Sequence, residues 1–349
     1  MEANEMTETP VLEIRNLKKY FNRKEGFISS LLGTTKKPIR AVDDVSIELR
    51  ENEVQGIIGE SGCGKSTLLK TVIGLNDPTG GDIVYKGKRL ADFSQDDWKE
   101  FRKNVQIIFQ NPFESLDPKF TVRESLAEPL NIHGIDYSEE RIHEALERVQ
   151  LNPPQKYLDR LPKQLSGGEK QRVSIARAII VEPDVILADE PVSMLDVSTQ
   201  AAILRLLSDL TEDLGLSMMY ISHDLSTVSD ICDQIHVMYL GRVVESAPTN
   251  QILDNPMHPY SQALIQAIPI PDPFHDRPRT RLEGSPPSPE ELEEGCRFKD
   301  RCPDRMPRCD TAPKTVEAEP EQFTACHLHY EESNVQPNAD APVQQGNQL

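Results

Sequence analysis

The chain of 349 residues contains no apolar run approaching the roughly eighteen residues that a membrane-spanning helix needs, so no transmembrane segment is expected. Its opening, Met1 to Pro10, is acidic and lacks the basic start and apolar middle of a secretory signal, which points to the cytosol. Apolar residues are modest at 37% and prolines number 27, so a long polar portion is expected outside the main core. Basic charge is also short. With 38 Lys and Arg against 57 Asp and Glu the net charge is -19, which argues against a nucleic-acid partner, because phosphate contacts need a basic face. Cysteine is sparse until the C-terminus: Cys63 and Cys232 stand alone and read as small packing residues, whereas Cys296, Cys302, Cys309 and Cys326 cluster, and a reducing cytosol disfavours disulfides there.

What is present begins with Gly59-Glu60-Ser61-Gly62-Cys63-Gly64-Lys65-Ser66, which fits G-x-x-x-x-G-K-[ST] and directly follows the apolar run Val54 to Ile58. Such a loop turns successive backbone N–H groups inward, and the helix that starts near Lys65 adds the positive end of its dipole, so a polyphosphate fits the cup formed by Gly59, Ser61, Gly62, Cys63 and Gly64. Lys65 can reach β- and γ-phosphate oxygens, Ser66 can offer its hydroxyl to Mg²⁺, and Thr67 is placed for an α-phosphate contact.

Upstream, Val11 to Leu17 reads as a strand followed by Tyr20-Phe21, an aromatic pair open to two readings, a base-stacking platform or a core edge. A polar insert from Asn22 to Pro38 precedes the alternating strand Val42 to Leu49. Downstream, Val105 to Phe109 forms a buried strand ending at Gln110, a polar residue where α/β proteins place ligand contacts. A helical section runs from Val122 to about Ala178, and within it Leu165-Ser166-Gly167-Gly168-Glu169 opens a helix with Ser166 as its N-cap. Val185 to Ala188 is a buried strand ending in Asp189-Glu190, suited to hold Mg²⁺ and to polarise water; Met218 to Ile221 is another, ending near His223, which can reach a γ-phosphate.

P-loop, Gln110, Leu165 to Glu169, Asp189-Glu190 and His223 stand in an order that resembles the nucleotide-binding subunit of ATP-binding-cassette transporters, over roughly residues 11–248. The resemblance implies an α/β P-loop NTPase with a RecA-like core, an antiparallel β subdomain and a helical subdomain at about 122–178. It further implies Phe21, with Tyr20 second, as the adenine platform, Gln110 as the Q-loop glutamine and a Mg²⁺ ligand with Ser66 and Asp189, Glu190 as the catalytic glutamate, His223 as the switch histidine and Asp196 as the D-loop aspartate. Ser166, Gly167, Gly168 and Glu169 would serve ATP held by the opposite subunit. Met194 departs from the small residue usual in that D-loop.

A narrower resemblance reaches almost the whole chain. Gln110 to Val122, Asn255 to Leu264 and Gly295 to Pro303 with Cys309 and Cys326 are similar to the ATPase subunits of oligopeptide and dipeptide importers, more to the second paralogue than to the first. This implies a peripheral protein at the cytoplasmic face of the membrane, with a paralogous ATPase or a second copy of itself, two permease subunits and a substrate-binding protein. Nickel and oligosaccharide importers are alternative settings for the same cassette. Residues 249–330 would form the family's C-terminal extension, with Pro269 to Pro289 an extended connector, and 331–349 a disordered tail. The spacing C-x₅-C-x₆-C-x₁₆-C matches neither a zinc ribbon nor a ferredoxin pattern; the resemblance implies an iron-sulfur cluster of four irons there, with Zn²⁺ as the alternative and unligated thiols as the third. Chromosome-maintenance and translation ATPases share the P-loop and signature, but the first normally separate them by a long coiled coil and the second carry two cassettes; both also need nucleic-acid contact.

Overall fold

A computed structural model of the chain describes residues 9–22, 37–112, 115–267, 286–289 and 292–330. Most of the insert at 22–38, most of the connector at 269–289 and the tail at 331–349 lie outside the described residues.

Two sheets organise the rest. In the first, β1 (Leu12–Phe21) pairs antiparallel with β2 (Ile39–Leu49). After β3 (Val54–Ile58) and α1 (Lys65–Val72), β4 (Gly80–Tyr85) and the short β5 (Lys88–Arg89) complete the order β2-β1-β4-β5. β1 runs four residues beyond the expected Leu17, because Lys18 to Phe21 continue the ladder with Asp43 to Ile39 across a bulge.

The second sheet holds the site. After α2 (Gln95–Asn104) come β6 (Val105–Ile108) and three helices, α3 (Val122–His133), α4 (Glu139–Arg148) and α5 (Gly167–Ile179). Then follow β7 (Val185–Asp189), α6 (Val197–Leu214), β8 (Ser217–Ser222), α7 (Leu225–Val228), β9 (Gln234–Tyr239), β10 (Arg242–Pro248), α8 (Thr249–Asp254) and α9 (Pro259–Gln266). Strands β9, β3, β8, β7 and β6 are parallel neighbours in that order, so their C-terminal ends share one edge of the sheet. These strands are buried on both faces and read as continuous apolar runs for that reason.

Alternation along each strand divides the core. Ile57, Leu187, Met219 and Ile221 face α1 and the antiparallel sheet, whereas Ile58, Ala188, Met218 and Tyr220 face the helical section and the C-terminal segment. Each of α2, α3 and α5 begins with a capping box, at Ser94/Asp97, Thr121/Glu124 and Ser166/Glu169.

The C-terminal extension joins the same sheet. Its strands β11 (Val316–Glu319) and β12 (Gln322–Thr324) add to the edge through the pairs Glu245↔Thr324 and Ser246↔Phe323. Glu245, almost fully buried, accepts from Met257 N (2.7 Å), His258 N (2.8 Å) and Gln322 Nε2 (2.9 Å), tying the start of α9 and β12 to β10.

Candidate functional site: a phosphate loop facing Gln110, Glu190 and His223

The P-loop is clamped between the two sheets. Gly64 sits at φ +111, and a Cβ there would lie 2.0 Å from the Ala41 carbonyl oxygen of β2, so this position admits only glycine. Gly241 N donates to Cys63 O (2.7 Å) and Asp43 N to Gly241 O (2.8 Å), tying loop, β2 and the β9–β10 turn together. Cys63 is buried, and burial pushes its thiol pKa up, as expected of a packing residue. Ser61 and Gly62 are exposed at the loop's mouth, and Ser66 and Thr67 lie in the first turn of α1. The buried Lys65 points its Nζ back into the loop, donating to Gly59 O (2.7 Å) and Glu60 O (3.2 Å).

Opposite the loop, the sheet register brings three polar side chains together. Ile108 pairs with Ala188 and Asp189 with Ile221, so the residues just past β6, β7 and β8 emerge level with one another. Glu190, on the middle strand, receives Gln110 Nε2 from one neighbour (3.1 Å) and meets His223 Nδ1 from the other (2.9 Å), both at its Oε2. Gln110 Nε2 also donates to Ser193 Oγ (3.1 Å). Glu190 is held at φ +46, a left-handed conformation unusual for this residue type, while its N–H donates to Ile221 O (3.0 Å). The strain accompanies a carboxylate aimed across the strand ends, where it is equipped to accept a proton from water.

Ser66 Oγ donates to Asp189 Oδ1 (2.9 Å). Burial raises the Asp189 pKa; the Ser66 bond lowers it, and the Glu190 charge raises it further. A buried carboxylate beside a second one is stabilised by a cation. The Ser66 hydroxyl and the Asp189 carboxylate are hard-oxygen donors of the kind that suits Mg²⁺.

The remaining expected residues lie apart from this centre. Ser166 and Glu169 bond each other (Ser166 N to Glu169 Oε2, 2.7 Å), and a Cβ on Gly168 would lie 2.7 Å from Thr199 Cγ2. The start of α5 therefore packs on the start of α6, where Asp196 caps the helix through Ser198 and Thr199, bonds that hold its pKa down at about 2. Phe21, at the end of β1, is 38% exposed with Lys19 Nζ 5.0 Å from its ring centroid. Tyr20 instead donates its hydroxyl to Asp43, so of the pair Phe21 is the ring open to a stacking partner.

Among the described residues no three His, Cys, Asp or Glu side chains converge closely enough to hold a metal ion, so the expectation of an iron-sulfur cluster or zinc at Cys296, Cys302, Cys309 and Cys326 finds no support. All four are free. Burial raises the pKa of Cys302 and of Cys326 to about 11.

Sequence reasoning missed a set of contacts around Glu60. Arg301 of the extension bonds both its carboxylate oxygens (2.9 Å each), and the Tyr260 hydroxyl of α9 accepts from Glu60 N (2.9 Å). No local spacing signals a pair 241 positions apart.

Fold and loop set together define an ATP-binding cassette. Residues 42–193 match the ABC transporter family model, and residues 244–309 match that of the oligopeptide/dipeptide transporter C-terminal region. The ATP-binding cassette MJ0796, solved as a dimer bound to ADP and Pi, superposes with a TM-score of 0.59 at 30% identity, covering 68% of this chain and 98% of that one. The oligopeptide transport ATP-binding protein AppF of Bacillus subtilis is 43% identical over 334 residues, 94% of this chain and 99% of its own length. The oligopeptide transport ATP-binding protein OppF of Salmonella typhimurium is 41% identical over 320 residues, 90% and 95% of the two lengths. The chain belongs to the ABC transporter ATP-binding proteins of the oligopeptide/dipeptide type, and it is an ATPase. Among the described residues no helix is long and apolar enough to cross a membrane.

Proposed function

We propose that this ATPase drives the import of oligopeptides or dipeptides, with Glu190 as the residue that aligns and deprotonates the attacking water. The observation that carries the reading is the Gln110–Glu190–His223 cluster at the edge of the sheet that also carries the P-loop. Lys65 and the loop N–H groups neutralise the phosphates, and Ser66, Asp189 and Gln110 would hold Mg²⁺, which would screen the charge developing on the γ-phosphate. Phe21 stacks on adenine, and His223 reads the γ-phosphate while fixing Glu190.

Two such cassettes, this chain with a paralogue or a second copy, close head to tail so that Ser166 to Glu169 of one complete the P-loop site of the other. Met194 and Val197, 62% and 82% exposed on either side of Asp196, supply apolar surface for that face. Two permease subunits and a substrate-binding protein complete the importer, with the cassettes peripheral at the cytoplasmic side. A groove of about 660 Å³ along α3 and α4, with Ile132 and Tyr137 exposed in it, supports a docking role for the helical section. At the C-terminus Cys326 feels the charge of Cys296, Cys302 and Cys309, which supports proximity of the four thiols but not ligation. Iron and zinc analysis of the purified chain tests whether they gather on a metal.

Peptide specificity rests on the match over residues 244–309 and on the relatives. It is tested by uptake of labelled di- and oligopeptides in cells carrying this chain or its Glu190→Gln form, with sugars and nickel as controls. Loss of peptide uptake alone is expected. Intact peptide uptake with loss of sugar or nickel would keep the ATPase and overturn the substrate.

A further inference from the structure

The second residue of the phosphate loop is held from the far end of the chain. Glu60 N donates to the Tyr260 hydroxyl (2.9 Å), and the Glu60 carboxylate takes two parallel bonds from Arg301 Nη1 and Nη2 (2.9 Å each). This fork-on-fork geometry fixes the side chain in direction as well as position. Arg301 is itself packed: its side chain is 7% exposed, Nη1 also donates to Tyr239 Oη (3.3 Å), and the guanidinium lies 5.8 Å from the Tyr239 ring centroid. Tyr239, Tyr260 and Phe298 pack in tilted and edge-to-face contacts with centroids 4.6 to 5.5 Å apart, joining β9, α9 and the cysteine-bearing segment. Arg297, equally buried, donates to Leu240 O and Asp43, next to the Gly241 that holds Cys63 O. The loop is thus gripped by the extension at Glu60 and, through the β9–β10 turn, at Cys63.

The pairing also has an electrostatic consequence. Glu60 is an acid in a loop whose ligand is a polyanion, and its carbonyl is one of the two that Lys65 contacts. Unpaired, the carboxylate would oppose phosphate entry; paired with Arg301, it presents no net charge.

We propose that Arg301 is a positioning residue of the ATP site: it holds Glu60 and cancels its charge, which makes the C-terminal extension part of the nucleotide-binding machinery. This rests on the reading of residues 59–66 as the ATP loop.

The test uses the purified full-length chain, with steady-state ATP hydrolysis and thermal melts for wild type, Arg301→Ala, Arg301→Lys, Glu60→Gln and the double variant Glu60→Gln/Arg301→Ala. Arg301→Ala is expected to raise the KM for ATP about tenfold with kcat within about twofold. Removing the orphaned carboxylate in the double variant should bring KM back to within about threefold of wild type, and Arg301→Lys should fall between wild type and Arg301→Ala. A merely structural role would lower the melting temperature and the active fraction, hence the apparent kcat, at unchanged KM; that result overturns the proposal. So does a double variant no better than Arg301→Ala. Wild type that hydrolyses ATP alongside an Arg301→Ala form of unchanged KM sinks the brace alone, whereas wild type that binds no ATP sinks the loop reading with it.

Discussion

Replacing Gly64 by alanine tests the clamp between the P-loop and β2. At φ +111 an alanine carries a backbone cost of about 1–2 kcal/mol. Its Cβ would also sit 2.0 Å from Ala41 O, and reaching ordinary contact at 3.4 Å requires a displacement of about 1.4 Å. Both atoms belong to structure that cannot rotate away, since Ala41 lies in β2 and Gly64 leads directly into α1. The shift therefore falls on the loop N–H groups and on Lys65, and misplacement by about 1 Å costs on the order of a hundredfold. Gly62 provides the control, because it too has positive φ (+81) but nothing lies within 4 Å of a Cβ there. Gly62→Ala should cost only the backbone term, about five- to thirtyfold in affinity. Equilibrium titration with a fluorescent ATP analogue, on protein shown to be folded by its melting curve, measures both. Gly64→Ala binding within about threefold of wild type, or Gly62→Ala as damaged as Gly64→Ala, would show that contact with Ala41 does not set the loop's geometry.

Two further outcomes follow from the same geometry. Phe21→Ala should raise the KM for ATP by about tenfold, the loss of one base-stacking contact, with kcat little changed; an unchanged KM in a steady-state hydrolysis assay would remove Phe21 from the site. Burial lowers the pKa of His236 to about 4 and of His258 to about 3 from 6.5, so both stay neutral in the folded chain while the unfolded chain takes up protons below 6.5. Their stability contribution is complete above that pH and falls by about 2 kcal/mol each by pH 5, so unfolding curves should weaken steadily from pH 6.5 downward; a flat profile to pH 5 would contradict it.

The parallel strands were legible because burial on both faces forces continuous apolar runs, and the polar residues that end them, Gln110, Asp189 and His223, stood out against those runs. Their order along the chain did not say that Glu190 would lie between Gln110 and His223; the strand order does. The edge strands β11 and β12 are not legible in the sequence, since Val316-Glu317-Ala318-Glu319 is short and half acidic and reaches the sheet only through β12, whose partner strand β10 lies about eighty residues earlier. Glu60 falls on a variable position of the P-loop pattern, and Tyr260 within the stretch Asn255 to Leu264, which the sequence marks only by its resemblance. Their joint role needed the fold that brings Arg301 beside them. The four cysteines group in the sequence, but spacing alone does not fix where their side chains point, and among the described residues no metal-holding group is found.

The proposed role of Glu190, fixed between Gln110 and His223, is that of base for hydrolysis at the P-loop. Phosphate release from ATP by wild type and Glu190→Gln, with ATP affinity measured on the same preparations, tests it most directly. The amide keeps the size of the side chain and loses the base, so turnover should fall by about 10²–10⁴-fold while ATP still binds within about threefold of wild type. Hydrolysis by Glu190→Gln at a rate near wild type would contradict the account.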